Sequence, residues 1–157
     1  MKICIQKGQM QLIAKRKSTQ DDTIIIQLIK DELLPLALLR FPDTLFNKEE
    51  FLLRLSNGTT YVWKERAGRI IGFIHLFVQD QMVWLDMIAV HRHQQGRGVG
   101  RKLVQHALNF GKAYRMDAIS LYVDKSNRKA LQFYKSLGFR SIQYHPHIYC
   151  YELSRAL

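Results

Sequence analysis

The amino-acid sequence predicts a single mixed α/β domain. Three observations carry that expectation. Strand-like and helix-like patterns alternate along its 157 residues. A strand-rich block fills the middle of the chain, over residues 59–90. A glycine-rich turn, Gln95-Gly96-Arg97-Gly98-Val99-Gly100, then divides an apolar run from an amphipathic one.

Residues 10–16 read as a short strand. Thr19 then caps a helix, with Asp22 three residues on as its capping-box partner. That helix is expected to run to about Leu33, where Pro35 limits it. Residues 36–46 are apolar but irregular and contain Pro42. Asn47 followed by Glu50 predicts a second N-cap, for a helix through Leu55 that Ser56-Asn57-Gly58 stops. Residues 59–64 pair with residues 69–78 across a turn at Ala67-Gly68. Asp80-Gln81 marks the turn before residues 82–90, a run apolar on both faces apart from Asp86, as in a central strand. After the glycine turn comes a helix with Leu103, Val104, Ala107 and Leu108 on one stripe. Residues 118–124 form the next strand, and residues 126–137 a helix closed by Gly138. Residues 139–144 and 148–153 finish the chain as two strands.

Composition sets the class. Apolar residues make up 47% and charged residues 24%, ordinary for a globular protein. Cys4 and Cys150 are too few for a disulfide framework and read as reduced thiols. Residues 1–8 lack the apolar core of a secretion signal, and no apolar run reaches the ~18 residues of a membrane span. The expectation is one cytoplasmic domain over residues 1–157 with no membrane partner. The net charge of +11 favours anions: nucleic acid, acidic lipid or a polyanionic co-substrate. A basic solvated surface explains it equally well.

The glycine turn is the main chemical signal. Glycines at alternate positions strip side chains from the backbone where a helix begins. Exposed N–H groups and the helix dipole then make a seat for a phosphate or pyrophosphate. Two well-known loops do not fit. Dinucleotide binding needs G-x-G-x-x-G, and the third position is Arg101 read from Gly96 and Leu103 read from Gly98. A P-loop needs Gly-Lys-Ser/Thr, and Gly100-Arg101-Lys102 is not that. The pattern that fits is Gln/Arg-x-x-Gly-x-Gly/Ala, matched by Gln95, Gly98 and Gly100, with Ile88-Ala89-Val90 before it. Asn127 opens the next helix, Tyr134 follows by seven residues, and Leu137-Gly138-Phe139 comes next. On these pieces the chain resembles the GNAT N-acetyltransferase superfamily.

The resemblance implies a mixed central sheet of about six to seven strands, with strands 4 and 5 splayed and about four flanking helices. It implies acetyl-coenzyme A as co-substrate, its diphosphate lined by Gln95, Gly96, Arg97, Gly98, Val99, Gly100 and Arg101. Arg97 and Arg101 can add charge-assisted contacts or stand as solvated helix-start arginines. Gln95 can instead only shape the turn. The pantetheine arm would pair with the backbone of Ile88, Ala89 and Val90, as an added strand does. Asn127 would bond that arm or order its surroundings. Tyr134, on the same helix face and about 10 Å from Asn127, would protonate or hydrogen-bond the departing thiolate. A backbone N–H near Met87 to Ile88 would receive the oxyanion.

The base does not carry over. Some members place a glutamate where this chain has Tyr122. Asp86 is the candidate substitute, because a carboxylate in an apolar strand is costly unless paired or used. It can equally be a structural acid bonded to backbone or to an arginine. Asp124 reads as a turn or cap residue. The pairs His91/His93 and His145/His147 lack the other ligands of a zinc site, so no metal is expected. His145 and His147 can line an acceptor pocket with Tyr144, Tyr149 and Tyr151. The expected function is acetyl transfer from acetyl-coenzyme A to a primary amine, by direct attack in a ternary complex. The amine can be a small molecule, a peptide N-terminus or a lysine. The enzyme would be a monomer or homodimer, and nucleic acid is not an expected partner. A basic nucleic-acid-associated module and a non-catalytic acyl-coenzyme A sensor are the alternatives.

Overall fold

Turn chemistry lays down the central strands in the computed structural model, which describes residues 12–157. Strands β1 (Leu12–Lys15), β2 (Thr59–Lys64), β3 (Ile70–Gln79) and β4 (Met82–Val90) pair antiparallel in that order. The first two residues expected in β1, Met10 and Gln11, lie outside the described residues. Asp80 and Gln81 turn β3 into β4 with φ of 51° and 61°, the left-handed pair that a two-residue hairpin favours. β5 (Ala118–Asp124) then joins β4 in parallel. β6 (Arg140–His145) and β7 (Cys150–Ala156) complete seven strands among the described residues, in the order β1-β2-β3-β4-β5-β7-β6.

Helices cover both faces of the sheet. α1 (Ser18–Leu28) is capped by Lys17 rather than by Thr19. The reason is that the Asp21 carboxylate reaches back to the Lys17 N–H at 2.8 Å. Asp22, expected in the capping box, is instead paired with Arg16 at 2.6 Å. α1 runs on through a π-turn (Ile29–Leu33) into α2 (Leu34–Arg40). Pro35 therefore does not end the helix. It sits in the first turn of α2, where a missing N–H costs nothing, just after the π-turn has loosened the hydrogen-bond ladder. Residues 36–40, expected to be irregular, are helical in consequence. α3 (Lys48–Ser56) is capped as expected, with the Asn47 Oδ1 accepting from the Glu50 N–H at 3.0 Å.

α4 (Val99–Ala113) and α5 (Arg128–Ser136) cover the other face. The buried residues divide between the faces. Leu76, Val83, Leu85, Leu103, Leu108 and Ile119 pack beneath α4 and α5. Ile25, Ile29, Leu55, Phe73, Met87 and Ala89 pack beneath α1 and α3. Each of these side chains larger than alanine contributes about 1.5–3 kcal/mol when fully buried.

Two irregularities in β4 shape the site. Leu85 pairs with Leu76, and Met87 with His75, so Asp86 is an extra residue with no partner of its own on β3. This bulge switches the strand's faces. Val83 and Leu85 belong to the α4 cluster, whereas Met87 and Ala89 belong to the α1 cluster. The second irregularity is a splay. β4 pairs with β5 only at Met82, Val83 and Trp84, opposite Ala118, Ile119 and Ser120. Beyond Trp84 the strands part, while β4 stays paired to β3 as far as Val90, and β5 to β7 as far as Asp124.

Candidate active site

The splay opens a wedge with backbone on both walls. Residues 85–90 have no partner on the β5 side, so that edge of β4 can pair with an extended chain. Ile88, Ala89 and Val90 lie on this edge. The side chain of Ala89 is buried beneath α1, and Ile88 and Val90 pack against the α4 cluster. What they present to the wedge is backbone.

The glycine turn stands at the open end of the wedge. A short 3₁₀ turn (Arg92–Gln94) leads from β4 into it. Gly96 and Gly98 have φ of 76° and 84°, values that side-chain-bearing residues adopt only with strain. Gly98 is the N-cap of α4, so the N–H groups of Val99, Gly100 and Arg101 begin the helix without helical acceptors. The space where a Cβ would stand on Gly96 or Gly98 is empty to beyond 4 Å. Val99 is buried in the core and anchors the first turn. This is a concave, positively polarised seat for an anion.

Side chains brace the turn from outside. Gln95 donates from Nε2 to the Val90 carbonyl at 2.9 Å, tying the turn to the end of β4. Glu32, from the π-turn, accepts from the Arg92 backbone N–H at 3.1 Å and its Nε at 3.4 Å. Arg97 and Arg101 are exposed, the first reaching Gln94 Oε1 at 3.5 Å and the second Ser136 Oγ at 3.2 Å. Both contacts are long, and both guanidinium groups can turn toward an anion.

α5 closes the wedge from the α4 side. Asn127 is its N-cap, the Oδ1 accepting from the Ala130 N–H at 3.1 Å. Tyr134 is buried, with its ring edge-on to Phe133 and Phe139. Burial holds the Tyr134 phenol well above its ordinary value, so the hydroxyl keeps its proton. A protonated hydroxyl is what a departing thiolate needs.

The opposite face of the wedge carries charge and aromatic surface. Asp86 is a half-buried carboxylate with both oxygens occupied. Arg54 of α3 donates from Nε to Oδ2 at 2.8 Å and from Nη2 to Oδ1 at 2.6 Å. Behind it lies His75, fully buried and 3.9 Å from Asp86, with Nδ1 2.8 Å from the Thr60 hydroxyl. Burial lowers the His75 pKa, and Asp86 only partly offsets that. The geometry is that of a structural acid on an arginine.

Asp124 is similarly held. Arg40, at the end of α2, grips both of its oxygens at 3.0 Å, and Ser126 donates to Oδ1 from its N–H and its hydroxyl. The Arg40 hydrogen bonds, with those from Ser126, keep the Asp124 carboxyl well below the usual carboxylate range. Between these two acids runs an aromatic strip. Phe77 stacks on Trp84 with centroids 6.2 Å apart, and Trp84 stacks on Tyr122 at 5.3 Å. Tyr122 is half exposed, and burial with the nearby Glu152 and Cys150 raises its pKa. It is no base at neutral pH. Neither arginine partner carried a sequence signal, because Arg54 lies 32 residues from Asp86 and Arg40 lies 84 from Asp124. Among the described residues, no cluster of three or more His, Cys, Asp or Glu is placed to hold a metal ion.

Known proteins share this architecture. Ard1 from Thermoplasma volcanium superposes with a TM-score of 0.77, at 20% identity, covering 94% of this chain and 97% of that one. The PaiA N-acetyltransferase of Thermoplasma acidophilum, solved in complex with coenzyme A, superposes with a TM-score of 0.74 at 17% identity, over 93% and 99% of the two chains. At the sequence level, a mycothiol acetyltransferase of Thermomonospora curvata is 42% identical over 76 residues, 48% of this chain and 26% of that protein. The chain spans between about a quarter and a third of the length of such curated relatives. Residues 26–139, which hold the bulge, the splay, the glycine turn and Tyr134, match the family described as the acetyltransferase (GNAT) family. With that match and this fold, the chain belongs to the GNAT family of acetyltransferases.

Proposed function

We propose that the chain transfers an acetyl group from acetyl-coenzyme A to a primary amine. The observation that supports this most is the wedge between β4 and β5, with an anion seat at its mouth and a protonated tyrosine inside. A diphosphate fits the seat formed by Gln95, Gly96, Arg97, Gly98, Val99, Gly100 and Arg101. Backbone N–H groups and open space receive it there, and the two arginines add charge. The pantetheine amides fit the unpaired edge at Ile88, Ala89 and Val90. Asn127 holds the start of α5 in place and so sets the position of Tyr134.

The chemistry follows from those positions. A neutral amine attacks the thioester carbonyl from the aromatic face. The oxyanion takes a backbone N–H at the bulge, near Met87 to Ile88, where a donor costs no reorganisation. The C–S bond breaks, and Tyr134 gives or shares its proton with the sulfur. Burial keeps the Tyr134 phenol above its ordinary value, so a hydrogen bond to the departing thiolate, whose thiol has a pKa of ~8.5, serves at least as well as full transfer of the proton. We assign Asp86 to holding the bulge through Arg54, since both its oxygens are already engaged.

The test is a thiol-release screen of polyamines, amino-sugar thiols, peptide N-termini and lysine peptides. Release that needs both acetyl-coenzyme A and one amine class, with the acetylated amine found by mass spectrometry, supports the proposal. Binding of acetyl-coenzyme A with no release across the panel contradicts it.

A further inference from the structure

The acid–base question left open by Asp86 has a second candidate on the same face. Tyr122 pairs across the ladder with Glu152 of β7. Glu152 Oε2 is 2.8 Å from His145 Nε2, and both side chains are largely buried, at 14% and 18% exposed. The His145 ring lies edge-on to Tyr122 with centroids 5.3 Å apart. It thus ends the strip that starts at Phe77 and crosses the vertex of the wedge at Trp84. The two other acids of this face, Asp86 and Asp124, each have both carboxylate oxygens held by an arginine. Glu152 is instead within hydrogen-bond distance of an imidazole, at 2.8 Å, whereas the His75 ring behind Asp86 stands 3.9 Å off and is engaged by Thr60. The groups around that imidazole are Tyr122 from β5, Glu152 and Cys150 from β7, and His147 from the β6–β7 turn. Among the described residues, no lysine or arginine forms an ion pair with the dyad.

We propose that His145, oriented by Glu152, is the general base that deprotonates the acceptor. The proposal rests on the acetyl-transfer reading above. With the Nε2 proton donated to Glu152, Nδ1 carries the lone pair. It takes one proton from the acceptor ammonium, directly or through one water, and Glu152 stabilises the imidazolium that results. The neutral amine adds to the thioester carbonyl to form the C–N bond, and the C–S bond breaks as the tetrahedral oxyanion collapses. Tyr134 gives its proton to the departing sulfur, and the amine's second proton replaces it. The imidazolium returns its proton to solvent. One ammonium and one thioester thus become one amide, one thiol and one released proton.

The experiment compares wild type with His145→Gln and Glu152→Gln. It uses the best amine of the panel and a hydrazide, which is uncharged at neutral pH. For the amine, His145→Gln is expected to lower kcat/KM by about 10²-fold or more and to remove the rising acid limb of its pH profile. Glu152→Gln is expected to shift that limb with a smaller loss. With the hydrazide both variants should stay within a few-fold of wild type, and acetyl-coenzyme A affinity should be unchanged in both. An unchanged acid limb in His145→Gln, or equal losses on amine and hydrazide, overturns the base assignment while leaving acetyl transfer intact. A wild type that acetylates neither acceptor overturns acetyl transfer and the base with it.

Discussion

The two sides of the wedge are built from different materials. The side proposed for the donor is backbone: a glycine turn, a helix N-terminus and an unpaired strand edge. The side proposed for the acceptor is built from side-chain pairs, two of them between distant parts of the chain. Arg40 meets Asp124, Arg54 meets Asp86, and His145 meets Glu152. A backbone site needs specific dihedral angles, which a short motif encodes. A side-chain site needs long-range pairings, which many sequences can supply.

The largest effect should fall on the chemistry that joins the two sides. Tyr134→Phe keeps the ring packing against Phe133 and Phe139 but removes the proton. It should lower kcat by about 10²-fold with acetyl-coenzyme A affinity within twofold of wild type, read by steady-state kinetics and calorimetry. An unchanged kcat would remove Tyr134 from the mechanism.

Next comes the donor side alone. Gly98→Val places a branched side chain at φ of 84°, at a cost of roughly 1–3 kcal/mol if the turn keeps its shape. Acetyl-coenzyme A should bind about 10- to 100-fold more weakly, with the acceptor KM little changed. A loss confined to the acceptor KM would reverse the assignment of the two sides.

The acceptor side should give the mirror image with a smaller effect. Arg40→Ala frees the end of α2 from β5 and leaves the glycine turn untouched. A several-fold rise in acceptor KM at constant acetyl-coenzyme A affinity is expected. The same contact predicts an acid signature. The folded-state pKa of Asp124 is depressed, so its stabilising contribution is complete above the ordinary carboxylate value of about 4 and is lost as pH falls below it. The urea midpoints of wild type and Asp124→Asn should therefore differ most at pH 7 and draw closer as pH falls below about 4. A gap of the same size at every pH would mean that Asp124 acts only through packing.

The smallest effect concerns the buried imidazole behind the bulge. Burial lowers the His75 pKa, so the folded chain resists its protonation. Stability should decline as pH falls below about 6.5, where the unfolded imidazole gains its proton. His75→Gln should flatten that decline in a thermal melt series.

The same contrast decides what the residues revealed in advance. Strands β2, β4 and β5 lie where their apolar runs placed them, because each run is bounded by turn residues. The Asn47 cap, the Gly98 turn and the start of α5 at Asn127 were also legible, since each is a local hydrogen-bond problem with a local solution. Pro35 misled, because a proline ends a helix only where its N–H is needed, and the π-turn before it removes that need. The bulge at Asp86 was hidden for another reason. Alternate burial continues through it while the faces exchange, so the pattern of residues alone shows no break. The partners Arg54, Arg40 and Glu152 were invisible, because nothing near them in sequence marks them out.

Direct detection of product tests the central claim most sharply. Purified chain, acetyl-coenzyme A and the amine panel are incubated together, and free thiol and acetylated amine are quantified in the same sample. Equal molar amounts of the two are expected, abolished by omitting the amine and strongly reduced in Tyr134→Phe. Thiol release that does not depend on amine, or an amine product formed equally well by Tyr134→Phe and Gly98→Val, would contradict that claim.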